Sequence, residues 1–441
     1  MGLRILLVSD HYPPFIGGAH RQTQLLAHEL SQRGHVVNVV TVWSGGLPEE
    51  EDEAGVRVFR LKQLRTWLPG VVRDRNQRHQ PPFPDPITIV GLRRVIRRFK
   101  PDVVHASGWF SFSCVPALLG SHIPLLISAR DYGYSCATRT LVVRGEQTCS
   151  GPALQKCLGC AADLYGAPKG WLAALGVLLG RSLLRYKVRG VHSISAYVQA
   201  IMRRDFWGGQ TGDPRTNTNA TAEAIIPSFR EDDADQYYSA EAQNQSYLDR
   251  LPSEKFILYV GALRRVKGIS QLLAAYMELV SPPPLVLIGT FEFDSPREFP
   301  PGVMVLENIP HSAVMAAWER SLFGVIPSLW PEPLGSVVYE GMSRGKAVIG
   351  TAPGGHTDMI VPGETGLLVP SGDVHALAQA MTNLINQPEL RERLGAAARE
   401  RSMLFTASVA VPQFERFYQR VISQSTGHNQ REIDVDVLGH A

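Results

Sequence analysis

Residues 323–351 have the sequence FGVIPSLWPEPLGSVVYEGMSRGKAVIGT, in which two short apolar runs flank an amphipathic segment. The runs are FGVIPS (323–328) and KAVIGT (346–351), and the segment between them predicts a helix from Gly335 to Arg344. Apolar runs that alternate with amphipathic helices are typical of a parallel sheet covered by helices. Ligands of such sheets bind beyond the carboxyl ends of the strands, so this loop is the first place to look for a site.

Two glutamates stand eight positions apart in this stretch, Glu332 in the loop and Glu340 about one and a half turns into the helix. At roughly 1.5 Å per residue, their carboxylates are on the order of 10 Å apart. This separation is too large for an acid/base pair that works across one bond. The two acids are therefore expected to contact different parts of one extended ligand.

The strand pattern of this stretch occurs in both halves of the chain. Its members are RILLVS (4–9), HVVNVVTV (35–42), DVVHAS (102–107), PLLISA (124–129), KFILYVG (255–261), PLVLIG (284–289) and VMVLE (303–307). A chain of 441 residues is too long for one ordinary core. The sequence therefore predicts an α/β protein with two doubly wound, Rossmann-like domains that face a cleft.

Composition changes along the chain suggest the domain limits. We predict an N-terminal domain at 1–207 and a C-terminal domain at 254–405, joined by the polar, aliphatic-poor segment 208–253. Residues 406–423 predict a final helix, and residues 424–441 have no usable periodicity and are expected to form a mobile tail.

Glycines and cations follow the first strand of each half. Gly17 and Gly18 precede a helix, where adjacent glycines allow a ligand to approach the backbone and helix amides favour an anion. Arg264, Arg265 and Lys267 follow the strand 255–261, and together they suggest a phosphate or diphosphate site. Taken alone, such loop cations are more often solvated. No GxGxxG motif is present, which disfavours a dinucleotide cofactor.

Four of the five cysteines lie within residues 136–160, as Cys136, Cys149, Cys157 and Cys160. Four thiolates ending in a CxxC pair suit tetrahedral zinc. Reduced thiols and an iron–sulfur cluster are the alternatives, and disulfides are less attractive because nothing in the chain indicates secretion. Cys114 stands alone and is expected to be a buried small apolar residue.

Charge and hydropathy indicate possible partners. The formal net charge of +3 is too small to indicate nucleic acid, but residues 57–104 contain twelve Lys or Arg against three acids. That excess fits either a solvated face or an anionic partner such as a phospholipid surface. The apolar run 171–179 is too short to span a bilayer. With Arg181, Arg185 and Lys187 after it, it fits an interfacial helix or a buried helix with a basic end. We therefore expect a cytoplasmic protein with possible peripheral contact at the inner face of the membrane.

Several motifs resemble, in order, those of the retaining family-4 glycosyltransferases, which have the GT-B architecture. The stretch IPSLWPEPLGSVVYEGMSRGKAVIGTAPGGHTDMIVPGETGLLVPSGD (326–373) resembles the family signature of two glutamates separated by seven residues. HYPPFIGGAHRQTQLLAHELSQRGHVVNVVT (11–41) is similar to the start of the acceptor domain, and VGALRRVKG (260–268) resembles the phosphate-binding loop. The resemblance runs from about residue 3 to about residue 422, and it implies that the helix 406–423 crosses back to the first domain.

The resemblance implies a role for each part of the signature. Glu332 is expected at the reacting centre of the donor sugar, with Leu334 and Gly335 near the sugar and Glu340 on the ribose. Lys267 is expected to hold the diphosphate and to stabilise the leaving group, so that catalysis needs no cofactor.

The resemblance also implies the remaining donor and acceptor contacts. Those on the donor side are Gly17, Gly18, Arg264 and Arg265, and those on the acceptor or sugar side are His105, Arg130 and Asp131. The sequence departs from the family pattern at Ala262, where arginine is usual, at Arg130, where histidine is common, and at Ser107, also a frequent histidine. Four-cysteine insertions like that at 136–160 occur in a subset of the family.

The function implied is transfer, with retention, of a hexose-type sugar from a UDP-, GDP- or ADP-linked donor to a glycan or lipid-linked acceptor. Synthesis of a cell-surface polysaccharide or glycolipid is the expected setting, with no nucleic acid as partner. Two alternatives stay open, an isomerase or phosphorylase of the same architecture and a catalytically silent carbohydrate-binding subunit.

Overall fold

The structure, a computed structural model, describes residues 2–10, 12–14, 18–67, 81–143, 147–208, 221–232 and 246–426. The strands of the N-terminal half are β1 (Arg4–Ser9), β2 (Val36–Val42), β3 (Glu50–Glu53), β4 (Val56–Leu61), β5 (Val103–Ser107), β6 (Leu125–Ala129), β7 (Val142–Val143), β8 (Gln147–Thr148), β9 (Val188–Ser193) and β10 (Ala222–Ile225). Its helices are α1 (Gly18–Gln32), α2 (Pro86–Phe99), α3 (Ser111–Ala117), α4 (Leu154–Tyr165), α5 (Ala167–Lys187) and α6 (Ala196–Ile201).

The C-terminal half repeats the alternation of strands and helices. Its strands are β11 (Ile257–Val260), β12 (Leu285–Ile288), β13 (Val303–Leu306), β14 (Phe323–Val325), β15 (Val348–Ala352) and β16 (Leu367–Pro370). Its helices are α7 (Ile269–Met277), α8 (His311–Arg320), α9 (Ser336–Ser343), α10 (His356–Met359), α11 (Val374–Asn386), α12 (Pro388–Ser402) and α13 (Ala407–Thr426). The predicted helix that follows Glu332 and contains Glu340 is α9.

Two large sheets carry all of these strands except β7 and β8, which pair antiparallel in a small sheet of their own. The two large sheets confirm the predicted α/β class. The first has the order β10-β9-β6-β5-β1-β2-β4-β3 and the second β13-β12-β11-β14-β15-β16. Every neighbouring pair is parallel except β3 with β4. The direction of winding reverses between β1 and β5 and between β11 and β14. Each reversal opens a crevice at the carboxyl ends of the strands, where ligands of such sheets bind.

Helix α2 shows how local sequence sets these elements. Asp85 accepts a hydrogen bond from the Thr88 amide and Pro86 occupies the first turn, so the helix begins where an acidic cap and a proline favour it. The helix ends at Lys100, which takes a left-handed conformation with φ of 49°. Its buried residues, among them Leu92 and Ile96, recur every three or four positions and face the sheet.

The C-terminal helix α13 packs on the first sheet and not on the second. Phe414, Tyr418 and Val421 are fully buried in one cluster with Ile5 and Leu7 of β1. The helix predicted over 406–423 therefore crosses back to the N-terminal half, where it packs in the same core as β1.

The segment 208–253, predicted as a polar linker, contains a strand of the first sheet, because β10 pairs with β9. Residues 209–220 and 233–245 of that segment lie outside the described residues. The first three residues of the predicted tail 424–441 belong to α13, and the rest of the tail lies outside the described residues. Among the helices that the structure describes, none is both long and apolar enough to cross a membrane.

Gly268 brings together the loops that follow β11 and β14. It has a left-handed backbone with φ of 76°, and a Cβ at this position would lie 1.8 Å from the carbonyl oxygen of Pro327. The amide of Leu329 donates to the Val266 carbonyl at 2.9 Å, so the two loops also share a backbone hydrogen bond. Close approach of two main chains here requires a residue without a side chain.

We expect Gly268→Ala to lower the melting temperature far more than Gly363→Ala. Gly363 is the matched control, because its φ is 78° and a Cβ there meets no atom within 4 Å. Both variants carry the left-handed strain of about 1–2 kcal/mol, and only Gly268→Ala adds the clash with Pro327. Differential scanning calorimetry measures the decrease in melting temperature of each variant. Equal decreases would show that the two loops can move apart at little cost in stability.

Candidate functional site

An ion pair between a partly exposed lysine and a buried glutamate lies at the crevice of the second sheet. Lys267 follows β11 and Glu332 follows β14, and the Lys267 Nζ lies 2.5 Å from the Glu332 Oε1. These two strands are the neighbours between which the winding reverses. The topology therefore brings together two residues that are 65 positions apart in the sequence.

Three donors converge on the same carboxylate oxygen of Glu332. Besides Lys267, the Ser328 hydroxyl and the Trp330 indole N–H each donate to Oε1 at 2.7 Å. Burial by itself would raise the pKa of Glu332, but the charge of Lys267, the interaction with His356 and the hydrogen bonds outweigh it and lower that pKa. The side chain is only 6% exposed, and it is nevertheless an anion at neutral pH.

His356 is a site residue that the sequence reasoning missed. Its Nδ1 accepts from the Thr351 amide at 3.1 Å, which leaves the ring proton on Nε2. Burial lowers the pKa of His356, so the ring is neutral at neutral pH. The Nε2 is buried, has no hydrogen-bond partner among the described residues and faces Gly335. The ring therefore offers a hydrogen-bond donor beside Glu332. In the sequence, only its position directly after the glycine pair 354–355 could have indicated this residue.

The loop that carries Glu332 is held by that glycine pair. The Gly355 amide donates to the Glu332 carbonyl at 2.6 Å, and a Cβ on Gly355 would lie 2.2 Å from the Pro333 carbonyl oxygen. Leu334 is buried, and Gly335 directly precedes the first residue of α9. This glycine turn therefore packs on the backbone that precedes α9.

Glu340 contacts a different side chain from those that contact Glu332. Its Oε1 lies 3.2 Å from the Nε2 of His311, and the other ring nitrogen of His311 lies 3.3 Å from an Arg21 guanidinium nitrogen. Arg21 belongs to α1 of the N-terminal half. Glu340 thus lies near a contact between the halves, at the outer end of the crevice.

The predicted cation cluster is only partly assembled. The Arg264 guanidinium binds Asp294 at 3.3 Å and packs over the ring of Phe293, and Arg265 is exposed. Lys267 is the member that reaches Glu332. Gly18 begins α1 at the edge of the first sheet, and the prediction for Gly17 lies outside the described residues.

Among the described residues, hydrogen bonds and a polar side-chain contact join the two halves across the cleft. The Tyr132 hydroxyl donates to the Pro331 carbonyl at 2.6 Å, next to Glu332, and its ring packs edge-on against Trp330. The Asp358 carboxylate accepts from the Ala196 amide at 2.6 Å. Together with the Arg21–His311 contact, these bonds hold the loops of both sheets against each other. Tyr132, also missed by the sequence reasoning, follows Arg130 and Asp131 in the loop after β6.

Asp131, expected on the acceptor side, lies in an ion pair with the Cys-rich segment. Arg139 donates to its Oδ2 at 2.9 Å and 2.7 Å, and the Gly133 amide donates to its Oδ1 at 2.7 Å. The Arg139 guanidinium also packs over the Trp109 ring. The insertion at 136–160 therefore supplies a cation that fixes the loop beside the cleft.

Asp10 occupies the crevice of the first sheet, between β1 and β5. Its two carboxylate oxygens accept from the amides of Trp109 at 2.8 Å and Phe110 at 2.6 Å. Burial raises the pKa of Asp10 to about 6, against the opposing charge of Arg139. The carboxylate is therefore a structural cap of the turn after β5.

His105 does not line the cleft, in contrast to the expectation that it lies on the sugar side. It is buried, its Nδ1 lies 2.8 Å from the Tyr418 hydroxyl of α13, and its Nε2 lies 2.5 Å from the Ser128 hydroxyl. Burial lowers the pKa of His105 well below its usual value. The physical reason is its position within β5, because Ser128 of the neighbouring strand and α13 cover this face of the sheet.

Arg130 lies at the end of β6 on the side of α13. Burial lowers the pKa of Arg130 to about 10, so it remains a cation at neutral pH. Its Nε is buried without a hydrogen-bond partner, and no carboxylate pairs with it among the residues that the structure describes. Arg130 is therefore a cation for which the described residues supply no carboxylate.

The four clustered cysteines line one small cavity, which Lys156 and Val142 also border. None of the four is in a disulfide. Within the described ranges, no group of three or more His, Cys, Asp or Glu side chains has the arrangement of metal ligands. The side chains thus suit zinc in kind and number but are not arranged as a coordination shell, and zinc stays a prediction.

Comparison with known proteins identifies both halves. Residues 17–214 match the model of the glycosyl transferase 4-like domain, and residues 243–401 match that of the glycosyl transferases group 1. The chain is 26% identical over 413 residues to GDP-mannose-dependent alpha-mannosyltransferase of Mycobacterium tuberculosis, which covers 91% of this chain and 92% of that protein. It is 27% identical over 188 residues to the capsular polysaccharide biosynthesis glycosyltransferase CapM of Staphylococcus aureus, 40% of this chain and about half (50%) of that relative.

The fold is also that of a solved structure. Sucrose-phosphate synthase from Thermosynechococcus elongatus superimposes with a TM-score of 0.69 at 20% identity, over 95% of this chain and 99% of that chain. This likeness confirms the predicted GT-B architecture.

We expect the purified protein to contain about one zinc ion per chain, bound by the four clustered cysteines. Cys157→Ser removes one ligand and is expected to lower the zinc content, whereas Cys114→Ser, in the core of α3 and outside the cluster, is expected to retain it. Elemental analysis of both variants measures the metal. Metal-free protein with four thiols that react with a thiol reagent would contradict the prediction.

Proposed function

Two tandem glycosyltransferase domains of the GT-B type make up this chain, and we propose that it transfers a hexose-type sugar, with retention, from a nucleotide-sugar donor. The observation that carries this proposal is the Lys267–Glu332 pair at the crevice of the second sheet. A buried carboxylate and a cation next to a helix start provide two kinds of contact, one for hydroxyl groups and one for phosphates.

We place the donor diphosphate between Lys267 and the start of α9. The amides at the beginning of a helix favour an anion, and Gly335 lets a ligand approach this end closely. Lys267 then shares its charge between Glu332 and the diphosphate. As the bond from the anomeric carbon to the phosphate oxygen lengthens, this cation and the helix end stabilise the negative charge on the leaving group.

Glu332 then receives the sugar. Its carboxylate is ionised, so it accepts hydrogen bonds from sugar hydroxyls, and the free Nε2–H of His356 donates to the same group of ligand oxygens. Glu340, at the outer end, is placed to accept from the ribose. The two glutamates therefore contact opposite ends of one nucleotide sugar.

Retention follows from attack on the face that the diphosphate leaves. The acceptor oxygen forms its bond to the anomeric carbon as the phosphate oxygen departs, and the acceptor proton passes to that phosphate oxygen. This route needs no protein nucleophile and differs from the two-carboxylate chemistry of glycoside hydrolases. The cross-cleft contacts of Tyr132 and Asp358 keep water out, which favours transfer over hydrolysis.

The acceptor is proposed to be a glycan or a lipid-linked molecule held by the N-terminal domain. The unpaired cation of Arg130 favours an anionic group near the transfer site. The similarity to a capsular polysaccharide glycosyltransferase supports a role in cell-surface polysaccharide or glycolipid synthesis. Since nucleotide sugars are made in the cytoplasm, we place the reaction there.

Lys267→Ala is expected to lower kcat about 10²–10³-fold, because loss of one preorganised group at the developing charge costs about that much. Arg264→Ala is the matched control in the same loop. Its guanidinium binds Asp294, so a loss of less than about tenfold is expected. Steady-state assay of nucleoside diphosphate release measures both, and equal losses would remove Lys267 from its proposed role.

A thermal-shift panel of UDP-, GDP- and ADP-sugars is expected to identify one donor that stabilises the protein, by about 2.7 kcal/mol at 100 times its Kd. Glu332→Gln is expected to keep part of this shift and to lose transfer and donor hydrolysis. Absence of any shift would contradict the proposed function. A shift without turnover in the native protein would favour the silent subunit, and turnover that depends on inorganic phosphate would favour a phosphorylase.

A further inference from the structure

One face of α5 is apolar and exposed along its whole length. Trp171 lies beside a stripe whose members recur every three or four positions, namely Pro168, Leu172, Leu175, Leu179, Ser182 and Tyr186. Leu172 is 59% exposed, Leu179 72% and Tyr186 72%. A helix on the surface of a folded domain normally presents polar side chains to water, so this stripe needs an explanation.

The exposed stripe does not result from loose packing of the helix. The opposite face is buried through Ala174, Val177 and Leu184. Gly180 is so close to α3 that a Cβ on it would lie 2.2 Å from the ring of Phe112. Helix α5 is therefore firmly seated on the domain, and its outer face is left for another partner.

The charged residues of the helices in this layer are all basic. Helices α2, α3 and α5 contain no Asp or Glu, whereas α2 and α5 together contain eight Lys or Arg. A groove between α2 and the loop after α3 is lined by Arg93, Arg97 and Lys100 and by no acidic residue. The outer surface of this helix layer thus combines apolar side chains with an excess of cations, of which Arg98 lies 3.7 Å from the Glu50 carboxylate of β3.

The groove and the stripe belong to one continuous surface. The Lys187 ammonium, at the end of α5, donates to the Ser121 carbonyl at 2.6 Å in the loop that lines the groove. Leu119 of that loop is 56% exposed. Arg93 of α2 donates to the Pro116 carbonyl of α3 at 2.9 Å. We call this surface, formed by the outer sides of α2, α3, the loop 118–123 and α5, the basic apolar face.

We propose that the basic apolar face docks on the surface of an anionic phospholipid bilayer. The apolar stripe enters the boundary between headgroups and acyl chains, with Trp171 at one end where an amphipathic ring is favoured. The cations of the groove contact the lipid phosphates. Because α2, α3 and α5 contain no Asp or Glu, their positive charge is complementary to the negative charge of such a surface.

The direction of α5 relates this face to the cleft. The helix ends at Lys187 and β9 begins at Val188, so its last residue lies at the amino end of a strand of the first sheet. Trp171, at the other end, points toward the carboxyl ends, where the cleft lies. If the proposed function holds, a lipid-linked acceptor in the bilayer reaches the cleft from the Trp171 end.

Sedimentation with vesicles tests the docking. The full chain is expected to bind vesicles of phosphatidylcholine with 30% phosphatidylglycerol and to bind pure phosphatidylcholine vesicles at least tenfold more weakly. The double variant Leu172→Glu/Leu179→Glu is expected to lose binding at least tenfold. Met277→Glu/Val280→Glu, which changes two exposed apolar residues of the C-terminal half, is the matched control and is expected to bind as the native protein does.

Charge is tested separately with Arg97→Gln/Lys100→Gln, which is expected to weaken binding to anionic vesicles and to reduce its sensitivity to salt. Native protein that stays in the supernatant at low salt would overturn the proposal. So would a double leucine variant that binds lipid normally but loses a dimer on size-exclusion chromatography, since the stripe would then be a self-association surface. The change in melting temperature caused by the nucleotide-sugar donor is measured on every variant. It tests the proposed function separately from the binding of vesicles.

Discussion

The buried carboxylate of Glu332 is the constraint around which the C-terminal domain is arranged. An ionised group at this depth is stable only with opposite charge and hydrogen bonds around it. Lys267 supplies the charge, and Ser328 and Trp330 supply hydrogen bonds. These partners come from the loops after β11 and β14, so the topology of the sheet is what satisfies the carboxylate. Under the proposed function, a donor diphosphate competes with Glu332 for the charge of Lys267, so that phosphate binding and the ionisation of this carboxylate are coupled.

The closed cleft depends on contacts made by residues next to the site. Tyr132 binds the carbonyl beside Glu332, and Asp358 caps the amide of Ala196. The Cys-rich insertion contributes indirectly, because its Arg139 fixes Asp131 immediately before Tyr132. Stability of the insertion and geometry of the cleft are therefore linked through one loop. Helix α13 adds a second link, since it leaves the C-terminal domain and completes the core beneath β1.

The N-terminal domain has two chemically different faces. On one side of its sheet, α1 and α13 enclose a core whose buried polar chain runs through His105 and Ser128 to Tyr418. On the other side, α2, α3 and α5 present cations and apolar side chains to the outside. The cations of α2, which are part of the basic excess in residues 57–104, and the apolar run 171–179 are unrelated in the sequence but contribute to one surface.

Sequence alone determined the alternation of strands and helices and the helix that contains Glu340, because hydrophobic periodicity is a local property. It also singled out Glu332 and Lys267. Only the tertiary structure decided that these two form an ion pair, that Arg264 is bound to Asp294, that His105 is interior and that His356 has a free donor. Such facts depend on which strands are neighbours and which helix covers them. Residues far apart in the chain meet only through that packing, and no local pattern encodes it.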